Sequence, residues 1–201
     1  MNLPNKLTVL RILMVPLFMA VMILPEAWVP AALSQLLGVF LFIAASLTDM
    51  LDGKIARKYN LVTDFGKFMD PLADKFMVIG AMMILLYRYE SIRPVFIWAA
   101  ILVIFRELAV TSMRLVVSGS SGIVVAANML GKIKTVTQIV CVCTVILEPL
   151  IYTLPFMGFL PVWVVEALPL TYLSIVVMAV FTAWSGINYI AAYWKYLDPQ
   201  K

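Results

Sequence analysis

A chain of 201 residues that is 64% hydrophobic and only 13% charged carries more apolar side chain than a soluble domain of this size can keep off its surface. Its 15 Lys and Arg against 11 Asp and Glu give a net charge of +4, and histidine is absent, which removes imidazole catalysis and His-ligated zinc or iron. With two cysteines no structural zinc site can be assembled, so the composition is that of an all-α, polytopic integral membrane protein.

A spanning helix takes roughly 20 mostly apolar residues. Six stretches qualify, at about 7–25, 31–51, 68–87, 95–117, 129–151 and 168–194, and they leave little chain for anything but one transmembrane domain over 1–201. Arg11 and Pro16 interrupt the first stretch and no small-residue cleavage site follows Leu24, so it is expected to stay in the mature protein. Pro25 and Pro30 frame the first outer turn, residues 58–65 form a short loop, and Pro71 is expected to bend or begin the third helix. Residues 88–94 read as a short outer loop, and "SGSSG" at 118–122 as a flexible break. Cys141 and Cys143 read as buried packing residues. Segment 148–169, with prolines at 149, 155, 161 and 169, reads as interfacial rather than as a seventh span.

Charge sets the orientation. With both termini cytoplasmic, the inner side holds Lys6, Arg11, Lys54, Arg57, Lys58, Lys67, Arg114, Lys132, Lys134, Lys195 and Lys201, against Arg88 and Arg93 outside. That asymmetry satisfies the positive-inside rule. Trp28, Trp98, Trp163 and Trp194 fall near span ends, as lipid anchors do.

Between the second and third spans, "SLTDMLDGKIARKYNLVTDFGKFMDPLADK" holds five aspartates. Asp49 and Asp52 are three apart and share a helix face, while Gly66, Asp70 and Asp74, spaced by four, share another. A short loop makes the two helices antiparallel neighbours whose carboxylate faces can converge. Two like charges at about 4 Å repel by roughly 4 kcal/mol at an effective dielectric of 20. A cation must therefore compensate them. An internal cluster with Lys54, Arg57, Lys58, Lys67 and Lys75 is one solution; a hard divalent ion, Mg²⁺ or Mn²⁺, is the other, because the donors are all oxygen. Gly53, Ala56 and Gly66 present bare backbone beside the carboxylates, and Arg57 suits forked phosphate recognition. Asp64 reads as a cap of the third helix.

The order Asp49, Asp52-Gly53, Ala56-Arg57, Gly66, Asp70, Asp74 resembles in full the signature of the CDP-alcohol phosphatidyltransferases. The resemblance implies six transmembrane helices, usually in a homodimer, with the site on the cytoplasmic side of a bacterial cytoplasmic membrane. It implies transfer of a phosphatidyl or related group from a CDP-linked donor to an alcohol, with release of CMP. Asp49, Asp52, Asp70 and Asp74 would hold Mg²⁺ or Mn²⁺, as a pair of ions, and Asp74 would also be the base that deprotonates the acceptor hydroxyl. Gly53, Ala56, Arg57 and Gly66 would line the cytidine diphosphate pocket.

Three further segments bear on the acceptor. "NLPNKLTVLR" puts Asn5, Thr8 and Arg11 along one helix face, Arg106 and Arg114 lie two turns apart in "RELAVTSMR", and "NMLGKIKT" carries Lys132 and Lys134. An arginine inside a span needs a partner, and Glu107, on a different face from Arg106, need not be it. Arg106, Arg114, Lys134 and Lys132 together suit an anionic acceptor. These segments resemble the members of the family that use CDP-diacylglycerol and sn-glycerol 3-phosphate; by that likeness the four cations hold the acceptor phosphate and Asn5 and Thr8 lie near the donor headgroup. Membrane lipids are the expected surroundings, and no nucleic-acid partner is expected. Within the family the alternatives are a phosphatidylglycerol acceptor, as in cardiolipin synthase, or inositol phosphate. Outside it, carboxylates among six spans suit a divalent-cation transporter, which leaves the ordered Gly-Ala-Arg positions unexplained and finds its outer acids, Glu26, Glu90, Glu148 and Glu166, only near loops.

Overall fold

The computed structural model describes residues 2–59, 63–121 and 129–194; within these, the side chains of Asp52, Lys54, Ala56, Arg57, Lys58, Lys67, Ser118, Ser120, Ser121 and Phe156 lie outside the description. Every regular element among the described residues is helical: α1 (Leu3–Ile23), α2 (Ala31–Lys58), α3 (Asp64–Arg88), α4 (Arg93–Ser121), α5 (Met129–Tyr152), a 3₁₀ turn (Pro155–Met157), α6 (Val162–Ala167) and α7 (Pro169–Tyr193). Five segments are long and apolar enough to cross a membrane, Leu3–Ile23, Ala31–Leu51, Arg93–Val117, Met129–Tyr152 and Val162–Tyr193. The expected third span, α3, has the length at 25 residues. Its first half, with Asp64, Lys67, Asp70, Asp74 and Lys75, is too polar to join them.

Several local expectations need correction. Helix α4 runs through "SGSS" to Ser121 rather than breaking at Ser118, and residues 122–128 lie outside the described set. A glycine costs a helix about 1 kcal/mol, too little at Gly119 to stop a helix already 26 residues along. Thr63 rather than Asp64 caps α3, its hydroxyl accepting the Gly66 N–H at 3.1 Å, while Asp64 sits in the first turn. Glu148 lies inside α5, buried, and accepts a 2.7 Å bond from the Tyr152 hydroxyl. Cys141 is buried but Cys143, two residues on and therefore on another face, is only half-buried. Pro71 falls within α3 rather than at its start, so the Lys67 carbonyl has no N–H four residues on to accept.

The chain divides into two compact units, Met1–Glu90 with Val142–Leu168, and Ser91–Cys141 with Pro169–Lys201. In the first, α1 packs against α2 and α3. The buried residues of α1 are Pro4, Asn5, Thr8, Arg11, Val15, Phe18 and Met22, one stripe at helical spacing that is polar in its first half and apolar in its second. Leu13, Leu17 and Phe40 are exposed, as lipid-facing side chains are. At the apolar end Phe18 meets Phe42 with ring centroids 5.7 Å apart, and Arg88 donates to the Met22 carbonyl at 2.5 Å and to Ser34 Oγ at 3.1 Å. Arg88 thereby satisfies a carbonyl that the end of α1 leaves open. In the second unit α4 packs on α7, whose buried face is Thr171, Ile175, Met178, Thr182, Ser185 and Tyr189. Trp28, Trp98, Trp163 and Trp194 are all more than half exposed, as anchors in a lipid interface are.

Between α5 and α7 the short α6, six residues long, cannot cross a bilayer by itself, and Leu168, at φ 45°, turns the chain into Pro169. The close approach of α1 and α3 depends on Gly80: a Cβ there would lie 2.8 Å from Val15 Cγ1 and 3.3 Å from Met19 Sδ. Val15 is β-branched and has little rotamer freedom in a helix to move away. Gly80→Ala is expected to destabilise the fold by about 1–3 kcal/mol, read as a lower thermal midpoint in detergent; an unchanged midpoint would refute this contact.

Candidate active site

The polar half of the α1 stripe meets the carboxylate faces of α2 and α3. Arg11, with a fully buried side chain, holds Asp49 of α2 through Nη1 and Oδ1 at 2.9 Å, and the Asp49 side chain remains 43% exposed. One turn back, Thr8 Oγ1 donates to Asp70 Oδ1 of α3 at 2.6 Å, with the Pro4 carbonyl 3.1 Å away. A further turn back, Asn5 Oδ1 accepts from the Thr63 hydroxyl at 3.1 Å, and that same hydroxyl caps α3. Residues 5, 8 and 11 thus each grip one point on the α2–α3 pair. Thr8 and Arg11 fix one oxygen each of Asp49 and Asp70, and Asp74 lies one turn beyond Asp70, half-buried on the same face.

Gly66 is buried at the centre of this arrangement. A Cβ there would lie 3.1 Å from Asn5 Oδ1, 3.3 Å from Thr63 Oγ1 and 3.7 Å from Asp70 Oδ2, so any side chain would fill the space beside the carboxylate. Gly53 lies on α2 one residue past Asp52; the side chains of Asp52, Ala56 and Arg57 lie outside the described residues, although the α2 backbone carries all three. Among the described residues no three Asp, Glu, Cys or His side chains form a cluster able to hold a metal by themselves. The donor set nonetheless suits a hard divalent cation, being carboxylate oxygen and free of nitrogen and sulfur. Lys75, one candidate for an internal counter-charge, reaches the Pro71 carbonyl of its own helix at 3.0 Å. Among the described residues, the cation that meets Asp49 is Arg11.

The second unit holds the other charged group. Arg106 and Lys134 are both buried and both engage Glu107: Lys134 Nζ is in direct contact with Oε1, and Arg106 Nη1 is 3.5 Å from it. Glu107 is therefore a partner of Arg106, despite the sequence neighbours starting from different faces. From α7, Ser185 Oγ accepts a 2.6 Å bond from Arg106 Nη2, and the Tyr189 hydroxyl accepts one from Arg114. The Tyr189 ring lies 5.0 Å from the Arg114 guanidinium and 5.9 Å from that of Arg106. Gly186 gives Arg106 its room, since a Cβ there would lie 3.2 Å from Arg106 Cγ. Lys132 is exposed, on a different face of α5 from Lys134, and stands apart from this group.

Sequence spacing found the aspartates, the three-residue series on α1 and the cations, but not which helices they meet. Thr63, Glu107 as a partner, Ser185 and Tyr189 were missed. The signal available for Ser185 and Tyr189 is their helical spacing with Thr182 inside an otherwise apolar span, the pattern that marked residues 5, 8 and 11.

The family model described as CDP-alcohol phosphatidyltransferase matches residues 1–185. A protein of Bacillus subtilis (strain 168) named CDP-diacylglycerol–glycerol-3-phosphate 3-phosphatidyltransferase is 44% identical, over 98% of this chain and 97% of its own. Proteins of the same name from Rickettsia felis and Salmonella typhimurium are 34% and 32% identical, over 97% and 95% of this chain and 97% and 94% of theirs. With a family match over residues 1–185, which takes in α1 to α6 and most of α7, the chain belongs to the CDP-alcohol phosphatidyltransferase family.

Proposed function

We propose that this membrane enzyme transfers the phosphatidyl group of CDP-diacylglycerol to sn-glycerol 3-phosphate, giving phosphatidylglycerophosphate and CMP. The observation that carries the reading is the 44% identity, over nearly the whole of both chains, to a protein named for that reaction. The transporter alternative has no such support. The family match runs across both units, which supports treating 1–201 as one functional domain. A sixth span formed by α3, a homodimer and a site facing the cytoplasm belong to the same proposal, the last supported by the eleven-to-two distribution of basic residues.

The family generally depends on divalent metal. Asp49, Asp52, Asp70 and Asp74 would hold it here, as Mg²⁺ or Mn²⁺, and when bound it supplies positive charge against the donor diphosphate and the departing CMP. The chain's own residues do the rest. Arg11 holds one oxygen of Asp49 and Thr8 one oxygen of Asp70. Gly66, Gly53 and Ala56 would line the cytidine diphosphate site, with Arg57 as its cation and Asn5 and Thr8 bordering the headgroup. Asp74 takes the proton of the acceptor's 1-hydroxyl; that oxygen bonds to the phosphorus on the diacylglycerol side, the phosphoanhydride bond breaks, and CMP leaves with the electron pair.

Charge matches the acceptor on the other unit. Arg106, Arg114 and Lys134 contribute three positive charges and Glu107 one negative, a net of +2. A phosphate monoester carries about −1.5 to −2 at neutral pH. A zwitterionic or neutral alcohol would leave that charge unanswered, so the group favours glycerol 3-phosphate over choline-like acceptors.

Purified protein with CDP-diacylglycerol and Mg²⁺ or Mn²⁺ is expected to release CMP only when glycerol 3-phosphate is added; equal release with phosphatidylglycerol or inositol phosphate would overturn the acceptor assignment. Asp74→Asn is expected to lower kcat by roughly 10²–10⁴-fold with the fold intact by circular dichroism, and wild-type kcat would remove Asp74 from its role as base. Thr8→Val removes one hydrogen bond to a charged acceptor, worth about 1.5–3 kcal/mol, and is expected to reduce kcat/KM by more than tenfold; unchanged kcat/KM would make Thr8 a packing residue only.

A further inference from the structure

Two polar side chains in the second unit have no part in the charged group. Gln138 of α5 is 2% exposed and Thr182 of α7 is fully buried, and neither the Gln138 amide atoms nor the Thr182 hydroxyl has a hydrogen-bond partner among the described residues. Unpaired amide and hydroxyl groups in an apolar interior cost roughly 2–7 kcal/mol, and in a membrane span water is not at hand to relieve them. A buried glutamine without a partner at either end is therefore a place built for something polar that arrives.

Their position says what arrives. Lys134 and Gln138 are one turn apart on one face of α5, and Thr182 is one turn from Ser185 on the buried face of α7. Helices α4 and α7 run parallel, because Arg106 meets Ser185 while Arg114, further along α4, meets Tyr189, further along α7. Helices α4 and α5 are successive candidate spans and so cross a membrane in opposite senses, and Lys134 of α5 meets Glu107 of α4. One turn on along α5 and one turn back along α7 therefore lead to the same side of the charged group. The result is a polar seam, with Arg114 and Tyr189 at one end, Arg106, Glu107, Lys134 and Ser185 in the middle, and Gln138 and Thr182 at the other end. From Tyr189 to Thr182 it measures about 10 Å along the α7 axis at 1.5 Å per residue, the scale of a phosphate plus a three-carbon polyol.

We propose that Gln138 and Thr182 form the hydroxyl-reading part of the acceptor site: they pair with the secondary hydroxyl of a phosphorylated polyol whose phosphate lies on the cations, and so select the acceptor by its hydroxyl pattern. The proposal rests on the glycerol 3-phosphate reading and adds to it two residues with a role in specificity. It also accounts for glutamine, which both donates and accepts and so suits a hydroxyl that does the same. A site made to bond a substrate hydroxyl discriminates against the analogue that lacks it, because its own buried groups are then left unpaired.

The test compares kcat/KM for glycerol 3-phosphate with that for 3-hydroxypropyl phosphate, which keeps the phosphate and the attacking hydroxyl and lacks the secondary one. In the wild-type protein the ratio is expected to be about tenfold or more, the equivalent of one to two hydrogen bonds. In Gln138→Leu it is expected to fall to within about threefold of unity, and in the near-isosteric Thr182→Val to an intermediate value. Thr182→Val keeps the test open if Gln138→Leu fails to fold. Wild-type discrimination that persists in both variants, or no discrimination in the wild type, would overturn the inference while leaving the reaction intact. A wild-type protein that ignores both phosphates yet releases CMP with another acceptor would overturn the underlying reading instead.

Discussion

A guanidinium with no exposed surface inside an apolar helix bundle is tolerable only against a carboxylate, and Arg11 has Asp49 at 2.9 Å. Removing one partner of a buried pair costs roughly 3–5 kcal/mol, a large share of the stability of any domain. That contact ties α1 to α2. Thr8 with Asp70 and Asn5 with Thr63 tie α1 to α3 in the same register, so three polar side chains at successive turns fix how both carboxylate-bearing helices present their acids. The apolar half of the same stripe, Val15, Phe18 and Met22, supplies the packing that keeps α1 in place. Stability and site geometry are in this way two halves of one helix face.

The second unit solves the complementary problem, too many cations. Glu107 draws Arg106 and Lys134 together, and the face and hydroxyl of Tyr189 hold Arg114 next to Arg106. Among these groups one carboxylate faces three cations, which leaves the named set net positive. Rigid, partly compensated charge is what binds phosphate with little reorganisation. The two units thus carry chemically opposite equipment, a carboxylate group in one and a mainly cationic group in the other.

Much of this was legible before any coordinates. Hydropathy places the long helices, ending α2 at 51 where it runs on to Lys58; the short link between α2 and α3 follows from "KYNLVTDF", and spacing puts Asp49 with Asp52 on one helix face and Asp70 with Asp74 on another. What was not legible was pairing between helices distant in sequence. Arg11 reads as an interruption of the first span and as the end of the series Asn5, Thr8, Arg11, and nothing in its neighbourhood names Asp49, 38 residues on. Glu107 was set aside on helical-face grounds, yet long side chains on adjacent residues reach a common point when a third, Lys134, comes from another helix. "SGSSG" was read as a break because glycine and serine are poor helix formers, whereas a long established helix absorbs a penalty of about 1 kcal/mol per glycine.

The central claim is that the α2 and α3 aspartates, oriented by Thr8 and Arg11, hold divalent metal rather than serve as an internal salt-bridge cluster. The most direct measurement is Mn²⁺ binding to the purified protein by electron paramagnetic resonance, with CDP-diacylglycerol present and absent, in the wild type and in Asp70→Asn. The account predicts saturable Mn²⁺ binding in the wild type, strengthened by the donor and lost in Asp70→Asn. Mn²⁺ that stays free in solution beside well-folded wild-type protein, with donor as without it, would contradict it.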